Sequence, residues 1–463
     1  MQTLETDYLV IGAGAMGMAF ADTIVSETNA RVLIVDRYHQ PGGHWTTAYP
    51  YVRLHQPSAF YGVNSRKLGS DAIDRVGWNE GLYELATAGE VCAYFDQVMQ
   101  QQLLPSGRVT YFPMCEYLGD ARFRRLGGEE VAVTVRKRIV DAAYMRVVVP
   151  SMRPPPFEVA EGVDCIAPND LPKRVQNHAR YVIVGAGKTG MDAGLWLLRN
   201  GIPAEKLTWI MPRDSWLLDR AGIQPGAEFA DAIRAGITKQ TEAVLAATTI
   251  DDLFDRLEST GRLLRFDRAV RPTMYRCATV TQTELEQLRS IKHIVRLGHV
   301  QSIDTDQMIL DHGTVATGPS PLYIDCTADG LERRPPAPVF ARDAITLQTV
   351  RGCQQVFSAA FIGHVEASYT DDARRNDLCG PVPHPDADID WLSMSVAYNR
   401  NLLRWLDDPQ LMQWLDGARL DLLGHLRPRA PADPAALEAM SKPMARRLNA
   451  VNAKLESLLA ARS

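Results

Sequence analysis

Two short apolar runs stand out along the chain, because a cluster of glycines follows each of them at once. The runs cover residues 8–11 and 181–184, and both are rich in the β-branched and aromatic residues that favour strands. After each cluster the apolar spacing becomes helical, over residues 16–26 and 189–199. The pattern therefore predicts a strand, a tight turn and a helix twice, which is the opening of a βαβ unit.

Both turns have the spacing G-x-G-x-x-G. The glycines are Gly12, Gly14 and Gly17 in the first copy and Gly185, Gly187 and Gly190 in the second. The first glycine permits the turn, the second lets the backbone approach a pyrophosphate, and the third lets helix and strand pack closely. The N-terminus of the helix offers free N–H groups to the phosphates. Two copies predict two dinucleotide sites, and suggest that electrons pass between them.

The residue after the next strand differs in charge between the copies. Asp36 follows residues 31–35, and a carboxylate there suits the hydroxyls of an unphosphorylated adenosine ribose, as in FAD or NAD. Arg213 follows residues 207–211, where a guanidinium suits the 2′-phosphate of NADP. The two sites are therefore predicted to hold different nucleotides.

The remaining pattern completes an α/β fold. Helices are predicted at residues 84–101, 228–264, 358–367, 391–403 and 435–461, and strands at 109–111, 130–136, 145–149 and 291–309. We place the first three of these strands in a smaller separate sheet. Proline-rich residues 150–172 and 427–434 predict connecting segments. The fold class is thus α/β with two Rossmann-like dinucleotide-binding domains, the first discontinuous and the second inserted into it, and a C-terminal helical tail.

Composition excludes several classes of protein. The chain has 463 residues and a net charge of −5, which argues against nucleic-acid binding. No apolar run approaches the roughly 20 residues of a membrane helix, and the start lacks a secretory pattern, so we expect a cytoplasmic protein without a membrane partner. The seven cysteines are scattered without C-x-x-C spacing. This argues against a redox disulfide and a zinc ribbon, and favours small buried apolar side chains and no metal site.

Four features resemble the class B flavin-dependent monooxygenases, which are two-dinucleotide flavoproteins. The first glycine turn with Asp36 matches their FAD fingerprint, and residues 42–45 resemble their G-G-x-W loop. Residues 49–54 resemble the tyrosine-proline and arginine stretch that follows. Residues 185–192 resemble the G-x-G-x-S-G-x-D of the NADPH domain, with threonine for serine. The resemblance covers about residues 5–66 and 180–216.

The resemblance implies cofactors, domains and site residues. It assigns residues 1–165 and 321–426 to the FAD domain, 166–320 to the NAD(P)H domain with a helical insertion, and 427–463 to a linker and final helix. FAD and NADPH are the expected cofactors. Residues expected to bind them are Gly12, Gly14, Gly17, Asp36, Arg37, Gly43, His44, Trp45, Arg53, Gly185, Gly187, Lys188, Thr189, Gly190, Arg213 and Asp343.

Departures from the family pattern narrow the expected chemistry. The linker motif F-x-G-x-x-x-H is absent, and Leu54-His55 replaces the aspartate common in Baeyer–Villiger enzymes, so ketone oxygenation is not expected. Asn64 resembles an active-site asparagine of flavin-containing monooxygenases, and His55 and Gln56 fall where the flavin ring is expected. These three residues are the predicted catalytic group, although each also fits an ordinary core or turn role.

The resemblance implies a monooxygenase that uses FAD, NADPH and O2. It would oxygenate a small organic substrate, at nitrogen or sulfur, through a C4a-hydroperoxyflavin. Two alternatives stay open: an NAD(P)H-dependent flavoprotein reductase or dehydrogenase without oxygen insertion, and a redox-sensing protein that holds FAD and NADP without turnover. The final helix is expected to serve packing or a homodimer.

Overall fold

The structure is a computed structural model that describes residues 2–176, 178–328, 330–332, 334–431 and 433–461. Its strands are β1 (Gln2–Ile11), β2 (Val32–Val35), β3 (Val109–Phe112), β4 (Cys115–Gly119), β5 (Arg122–Arg125), β6 (Glu130–Asp141), β7 (Glu158–Val159), β8 (Cys165–Ile166), β9 (Arg180–Val184), β10 (Leu207–Ile210), β11 (Ser215–Asp219), β12 (Met274–Val280), β13 (His293–Val295), β14 (Val300–Ile303), β15 (Gln307–Leu310), β16 (Gly313–Ala316), β17 (Pro321–Asp325), β18 (Phe340–Ala341) and β19 (Ala344–Thr346).

The helices alternate with the strands in the Rossmann manner. They are α1 (Ala15–Glu27), α2 (Ala88–Val98), α3 (Leu171–Arg174), α4 (Lys188–Arg199), α5 (Ala227–Ala246), α6 (Ile250–Ser259), α7 (Gln282–Arg289), α8 (Gln355–Ser368), α9 (Asp372–Leu378), α10 (Asp390–Leu406), α11 (Pro409–Gly417) and α12 (Pro434–Ala460). None of these described helices combines the length and the apolar character that crossing a bilayer requires.

The first sheet has the strand order β18-β19-β6-β1-β2-β3, with the hairpin β4–β5 attached to β6. Strands β1, β2, β3, β6 and β19 are parallel, and their register places Ile11 beside both Val35 and Asp141. Thr346 lies beside Asp141 in turn. The carboxyl ends of all five parallel strands therefore meet at one edge, which is where ligands bind in open parallel sheets.

The second sheet is entirely parallel, with the order β13-β10-β9-β17-β8. Its register aligns Val184 with Ile210 and Asp325, and Ile210 with Val295, so this sheet also has one carboxyl edge. The antiparallel strands β14–β16 pack against one face through buried apolar residues. The fold class predicted from the sequence, α/β with two Rossmann-like sheets and a helical C-terminal region, is confirmed.

Helices α1 and α8 form the centre of the first core. Val356 to Glu366 on α8 are all buried, and Gly363 lies against Phe20 and Thr23 of α1 close enough that a Cβ would sit 3.1 Å from Thr23. His364 meets Glu27 near the end of α1, so the two helices run parallel. The start of α8 therefore lies at the same sheet edge as the first glycine turn.

The prediction that residues 109–111, 130–136 and 145–149 form a smaller separate sheet is wrong. Strands β3 and β6 join the first Rossmann sheet, because β6 is twelve residues long and its second half pairs with both β1 and β19. Residues 145–149 form no strand and contribute only the isolated bridge Val147–Leu331.

The cysteine prediction needs correction as well. Cys277 on β12 and Cys353, just before α8, form a disulfide bond across 76 residues of sequence. The spacing of the cysteines along the sequence does not predict this pair, because only the topology brings β12 to the start of α8. The other five cysteines are free, and they are buried or half-buried as expected.

Candidate functional site

The two glycine turns have nearly the same backbone geometry. Gly12 has φ +110° and Gly185 has φ +115°, values that side-chain-bearing residues rarely adopt. The third glycines match as well: a Cβ on Gly17 would lie 2.0 Å from the Gly12 carbonyl oxygen, and one on Gly190 would lie 2.1 Å from the Gly185 oxygen. Both turns therefore require glycine for close packing of strand on helix.

Both helices begin without a side-chain cap. The N-cap of α1 is Gly14 and that of α4 is Gly187, and neither offers an oxygen to the first N–H groups. Nothing lies within 4 Å of the position that a Cβ on Gly187 would take. The two helix starts can thus accept phosphate oxygens, so the residues present fit a dinucleotide at each turn.

Asp36 lies at the carboxyl end of β2, beside the first turn. Its carboxylate accepts hydrogen bonds from the Ala13 amide (2.5 Å) and the Tyr38 amide (2.7 Å). The side chain is buried, and burial raises the pKa of the carboxyl group against the opposing effect of these bonds. Asp36 therefore joins the glycine turn to the strand end, in the position that the sequence assigns to a ribose.

The G-G-x-W loop packs directly on the first turn. The Gly42 amide donates to the Ala13 carbonyl (2.9 Å), and the Gly14 Cα lies 2.9 Å from where a Cβ on Gly43 would be. His44 follows, and burial lowers the pKa of its imidazole to about 4, so the ring is neutral near pH 7. The indole of Trp45 donates to the Tyr61 hydroxyl (2.6 Å).

Arg213 lies beyond the carboxyl end of β10, close to other charged side chains. Its guanidinium forms an ion pair with Asp386 (2.9 Å), a residue from the segment before α10. Arg276 of β12 binds the same carboxylate, at 2.7 Å from Nε. Burial alone would raise the pKa of Asp386, but the two arginines hold it below its usual range. Two guanidinium groups therefore contact one carboxylate at this corner.

Lys188 lies at the start of α4, where it forms an ion pair with Asp192 one turn later. The other oxygen of Asp192 accepts a hydrogen bond from the Tyr49 hydroxyl (2.7 Å). Burial, followed by the charge of Asp192, raises the pKa of Tyr49 well above its ordinary value. We call Tyr49, Asp192 and Lys188 the bridging triad, because it connects the loop after the first turn with the second turn.

His55 faces the second unit. Arg220, which precedes the helical insertion, donates to its carbonyl oxygen (2.8 Å). Burial, with the charges of Lys188 and Arg220, lowers the pKa of its imidazole well below the ordinary value. The side-chain amide of Gln56 donates a long hydrogen bond (3.4 Å) to the Phe60 carbonyl. Of the predicted catalytic group, His55 is thus the member whose imidazole is affected by the charge of Lys188 in the bridging triad.

Asn64 has different neighbours. Its side-chain oxygen accepts a long hydrogen bond (3.5 Å) from the Leu420 amide, and its backbone faces Asp22 in the middle of α1. These contacts of Asn64 and those of His55 share no residue. The expectation that it acts beside His55 has no support from these contacts.

The structure does not place Asp343 beside the first glycine turn. It lies in the exposed turn between β18 and β19, and its carbonyl accepts from the Ile139 amide. Because β19 runs parallel to β6 and ends at Thr346, Asp343 stands just before the amino end of β19, level with Tyr8 of β1 rather than with Ile11. Asp343 therefore does not lie at the carboxyl edge where the first glycine turn stands.

Three other predicted binding residues are exposed or lie within a helix. Arg37 is exposed and lies over the ring of Tyr38. Arg53 is exposed and pairs through its backbone with Thr87. Thr189 is the second residue of α4, so Gly187 holds the N-cap position in its place.

The sequence reasoning missed Tyr49, Asp192 and Arg276. Asp192 belongs to a motif that the sequence does display, but its partner Tyr49 is 143 residues away. Arg276 meets Asp386 across 110 residues. Only the assembled fold brings these residues together.

The chain matches one family model and is similar to several known proteins. Residues 10–64 match the model of an NAD(P)-binding Rossmann-like domain. A stretch of 92 residues is 32% identical to a ferredoxin–NADP reductase of Salinispora arenicola, covering 20% of this chain and 28% of that one. Among solved structures, the closed form of cyclohexanone monooxygenase is similar, with 14% identity, a TM-score of 0.47, and coverage of 97% of this chain and 99% of that one.

A much closer relative comes from mycobacteria. The uncharacterized protein Rv2000 of Mycobacterium tuberculosis (strain ATCC 25618 / H37Rv) is 62% identical over 458 residues. The match covers 99% of this chain and 85% of that protein. The chain therefore belongs to the same protein family as this mycobacterial protein.

Proposed function

We propose that this chain is an FAD-dependent, NADPH-reduced monooxygenase that oxygenates a small organic substrate at nitrogen or sulfur. The observation that carries the proposal is the duplicated phosphate cradle. Two glycine turns of matching geometry lie at two parallel-sheet edges, and a carboxylate marks one while a pair of arginines marks the other. FAD would supply the redox chemistry, accepting hydride and activating oxygen.

The residues of this chain would bind and orient the two nucleotides. Asp36 would accept the ribose hydroxyls of FAD at the first edge, where no phosphate is favoured beside a carboxylate. Arg213 and Arg276 would hold the 2′-phosphate of NADPH at the second. The discrimination between the nucleotides thus rests on charge.

The bridging triad supports transfer between the two sites. Tyr49 and Lys188 bind opposite oxygens of Asp192, so the loop after the first turn is fixed to the start of α4. A fixed distance between two reacting groups is what hydride transfer needs from the protein. Neutral His55 next to Lys188 adds a hydrogen-bonding group without a charge.

The experiment separates oxygen insertion from simple reduction. Purified protein loaded with FAD is first mixed with NADPH without oxygen, and bleaching of the flavin is followed. Isotopically labelled O2 and methyl phenyl sulfide are then added, and the sulfoxide is examined by mass spectrometry. Labelled oxygen in the sulfoxide supports the proposal.

Other outcomes reject it. If the flavin bleaches but all reducing equivalents return as hydrogen peroxide, the protein is a reductase. If the flavin does not bleach, neither enzyme is present, and a redox-sensing protein holding both nucleotides is left. NADH serves as the comparison nucleotide, because it lacks the phosphate that Arg213 would bind.

A reductase is the second candidate, and one observation favours it. The partial match to a ferredoxin–NADP reductase is 32% identical over 92 residues. Such an enzyme would use the same two nucleotide sites and would need no oxygen. Reduction of an external one-electron acceptor as fast as the flavin bleaches, with no labelled product, would support it.

A further inference from the structure

Asp386 contacts both arginines that the proposed function assigns to the 2′-phosphate of NADPH. One oxygen of its carboxylate accepts from Nη2 of Arg213 (2.9 Å) and from Nε of Arg276 (2.7 Å), and the other lies 3.2 Å from the same Nη2. The carboxylate thus uses N–H groups that would otherwise donate to phosphate oxygens. A phosphate that binds the same two guanidinium groups must displace this carboxylate or lie beside it.

The backbone around Asp386 is hydrogen-bonded to the segment that leads into β12. The Tyr275 amide donates to the Asp386 carbonyl (2.9 Å), and the Asp388 amide donates to the Thr273 carbonyl (3.2 Å). The Asp386 amide donates to the carboxylate of Asp390 (2.9 Å), the first residue of α10. None of these bonds involves the Asp386 side chain, so they fix its Cα near the arginines whether or not the ion pairs form.

Both guanidinium groups can be reached from solvent. The side chain of Arg213 is 35% exposed and that of Arg276 is 20% exposed. Two anions bound to one guanidinium lie no more than about 8 Å apart, which does not exceed the Debye length near physiological ionic strength. Asp386 therefore repels a phosphate at these arginines, whichever edge of the guanidinium the phosphate uses.

This repulsion acts differently on the two nicotinamide nucleotides. Burial would raise the pKa of Asp386, but the two arginines hold it below its usual range, so the carboxylate is ionised near pH 7. A phosphate monoester carries a charge of about −1.5 to −2 at this pH, so the carboxylate weakens its binding. NADH has a hydroxyl at the same position of the ribose, and a carboxylate can accept a hydrogen bond from it.

We infer that Asp386 sets how strongly this site prefers NADPH over NADH, by competing with the 2′-phosphate for Arg213 and Arg276. The inference rests on the proposed function, because it takes these arginines as the phosphate-binding groups. Both arginines lie between β9 and β17, whereas Asp386 comes after β17 and precedes α10. Asp386 is thus a specificity residue that lies outside the second Rossmann unit.

The test is calorimetric titration of the full chain with adenosine 2′,5′-bisphosphate and with AMP, which differ only in the 2′-phosphate. Saturating FAD is present to fill the first site. Asp386→Asn removes the charge, keeps the size of the side chain and leaves the backbone bonds in place. We expect it to bind the bisphosphate about three- to fivefold more tightly than the parent protein, and AMP within about twofold. High ionic strength should reduce this gain, because salt screens partly exposed charges.

Asp388→Asn is the matched control, because it removes the same charge two residues away, where the carboxylate accepts from the adjacent Ile389 amide (2.8 Å). It should leave bisphosphate binding unchanged. Asp386→Ser removes the charge with a smaller side chain and should show the same gain as Asp386→Asn, and melting temperatures identify any variant that fails to fold. The inference is overturned if the Asp386 variants bind the bisphosphate no more tightly than the parent, or if Asp388→Asn gives an equal gain. Weaker binding by the Asp386 variants would instead show that the carboxylate positions the arginines, and would also overturn it.

Arg213→Ala separates this inference from the proposed function. If Arg213→Ala binds the bisphosphate as the parent protein does, the proposed phosphate site is wrong and the inference fails with it. If Arg213→Ala weakens bisphosphate binding but the Asp386 variants leave it unchanged, the phosphate site stands and only the inference is rejected.

Discussion

The second glycine turn separates folding from nucleotide binding within four residues. In Gly190→Ala the new Cβ would lie 2.1 Å from the Gly185 carbonyl oxygen, about 1.3 Å closer than the 3.4 Å of an ordinary contact. The atom it meets is backbone, so a side-chain rotation cannot relieve the clash. Helix α4 must then move away from β9, and overpacking of this kind costs about 1–3 kcal/mol.

Gly187→Ala provides the matched comparison. It adds the same methyl group, in the same turn, to a residue with open space around it and an extended backbone. We expect its stability to stay within about 0.5 kcal/mol of the parent protein. The methyl would however stand where a pyrophosphate approaches the backbone, so NADPH affinity should fall by roughly tenfold or more, equivalent to about 1.4 kcal/mol.

Scanning calorimetry and NADPH titration read out the two effects. For a unit of about 150 residues, a loss of about 1–3 kcal/mol lowers the melting temperature by roughly 3–10 °C. Gly190→Ala should show this shift, and Gly187→Ala should not. The reasoning is refuted if both variants melt alike, or if Gly187→Ala binds NADPH as the parent protein does.

Three further predictions concern single side chains. Arg213→Ala should raise the KM for NADPH about tenfold and spare NADH in steady-state assays, whereas equal effects on both would exclude a phosphate contact. Asp36→Asn should lower the FAD content of purified protein, whereas Asp343→Asn, in the turn before β19, should not. Equal absorbance spectra of the two variants would count against the ribose role. Burial lowers the pKa of the His44 imidazole from 6.5 to about 4. As the pH falls below 6.5, the unfolded chain therefore binds a proton at this imidazole before the folded protein does, and the free energy of unfolding decreases. Urea titrations at pH 6.5 and about pH 5 should therefore show about 1.5 kcal/mol more loss in the parent than in His44→Asn, and equal losses would contradict the assigned burial effect.

The sequence predicted local features well, because they depend on neighbouring residues. Both glycine turns, the strands before them and the helices after them follow from short runs of residue types. Gly12 and Gly17 need no distant partner, since the third glycine packs on the carbonyl of the first. Asp36 was equally predictable, because the strand before it fixes its position at the sheet edge.

Features that depend on distant contacts could not be predicted. Strands β6 and β19 belong to the first sheet, and the sequence of residues 130–141 does not indicate that β6 pairs with β1. Asp343 was expected at a nucleotide site from the family resemblance, and only the pairing of β18 with β19 shows that it lies in a hairpin turn. The disulfide between Cys277 and Cys353 likewise depends on the topology.

Under the proposed function, the duplication would account both for nucleotide binding and for the discrimination between the two nucleotides. The backbone cradle is nearly identical in both copies, down to the close approach of the third glycine to the first carbonyl. What differs is the side chain at the end of the next strand: a buried carboxylate tied to backbone amides in one copy, and a guanidinium sharing a carboxylate with Arg276 in the other. Because cradle and side chain act separately, a change at Asp36 or Arg213 should alter which nucleotide is preferred, while a change at Gly17 or Gly190 should affect the fold that binds either one.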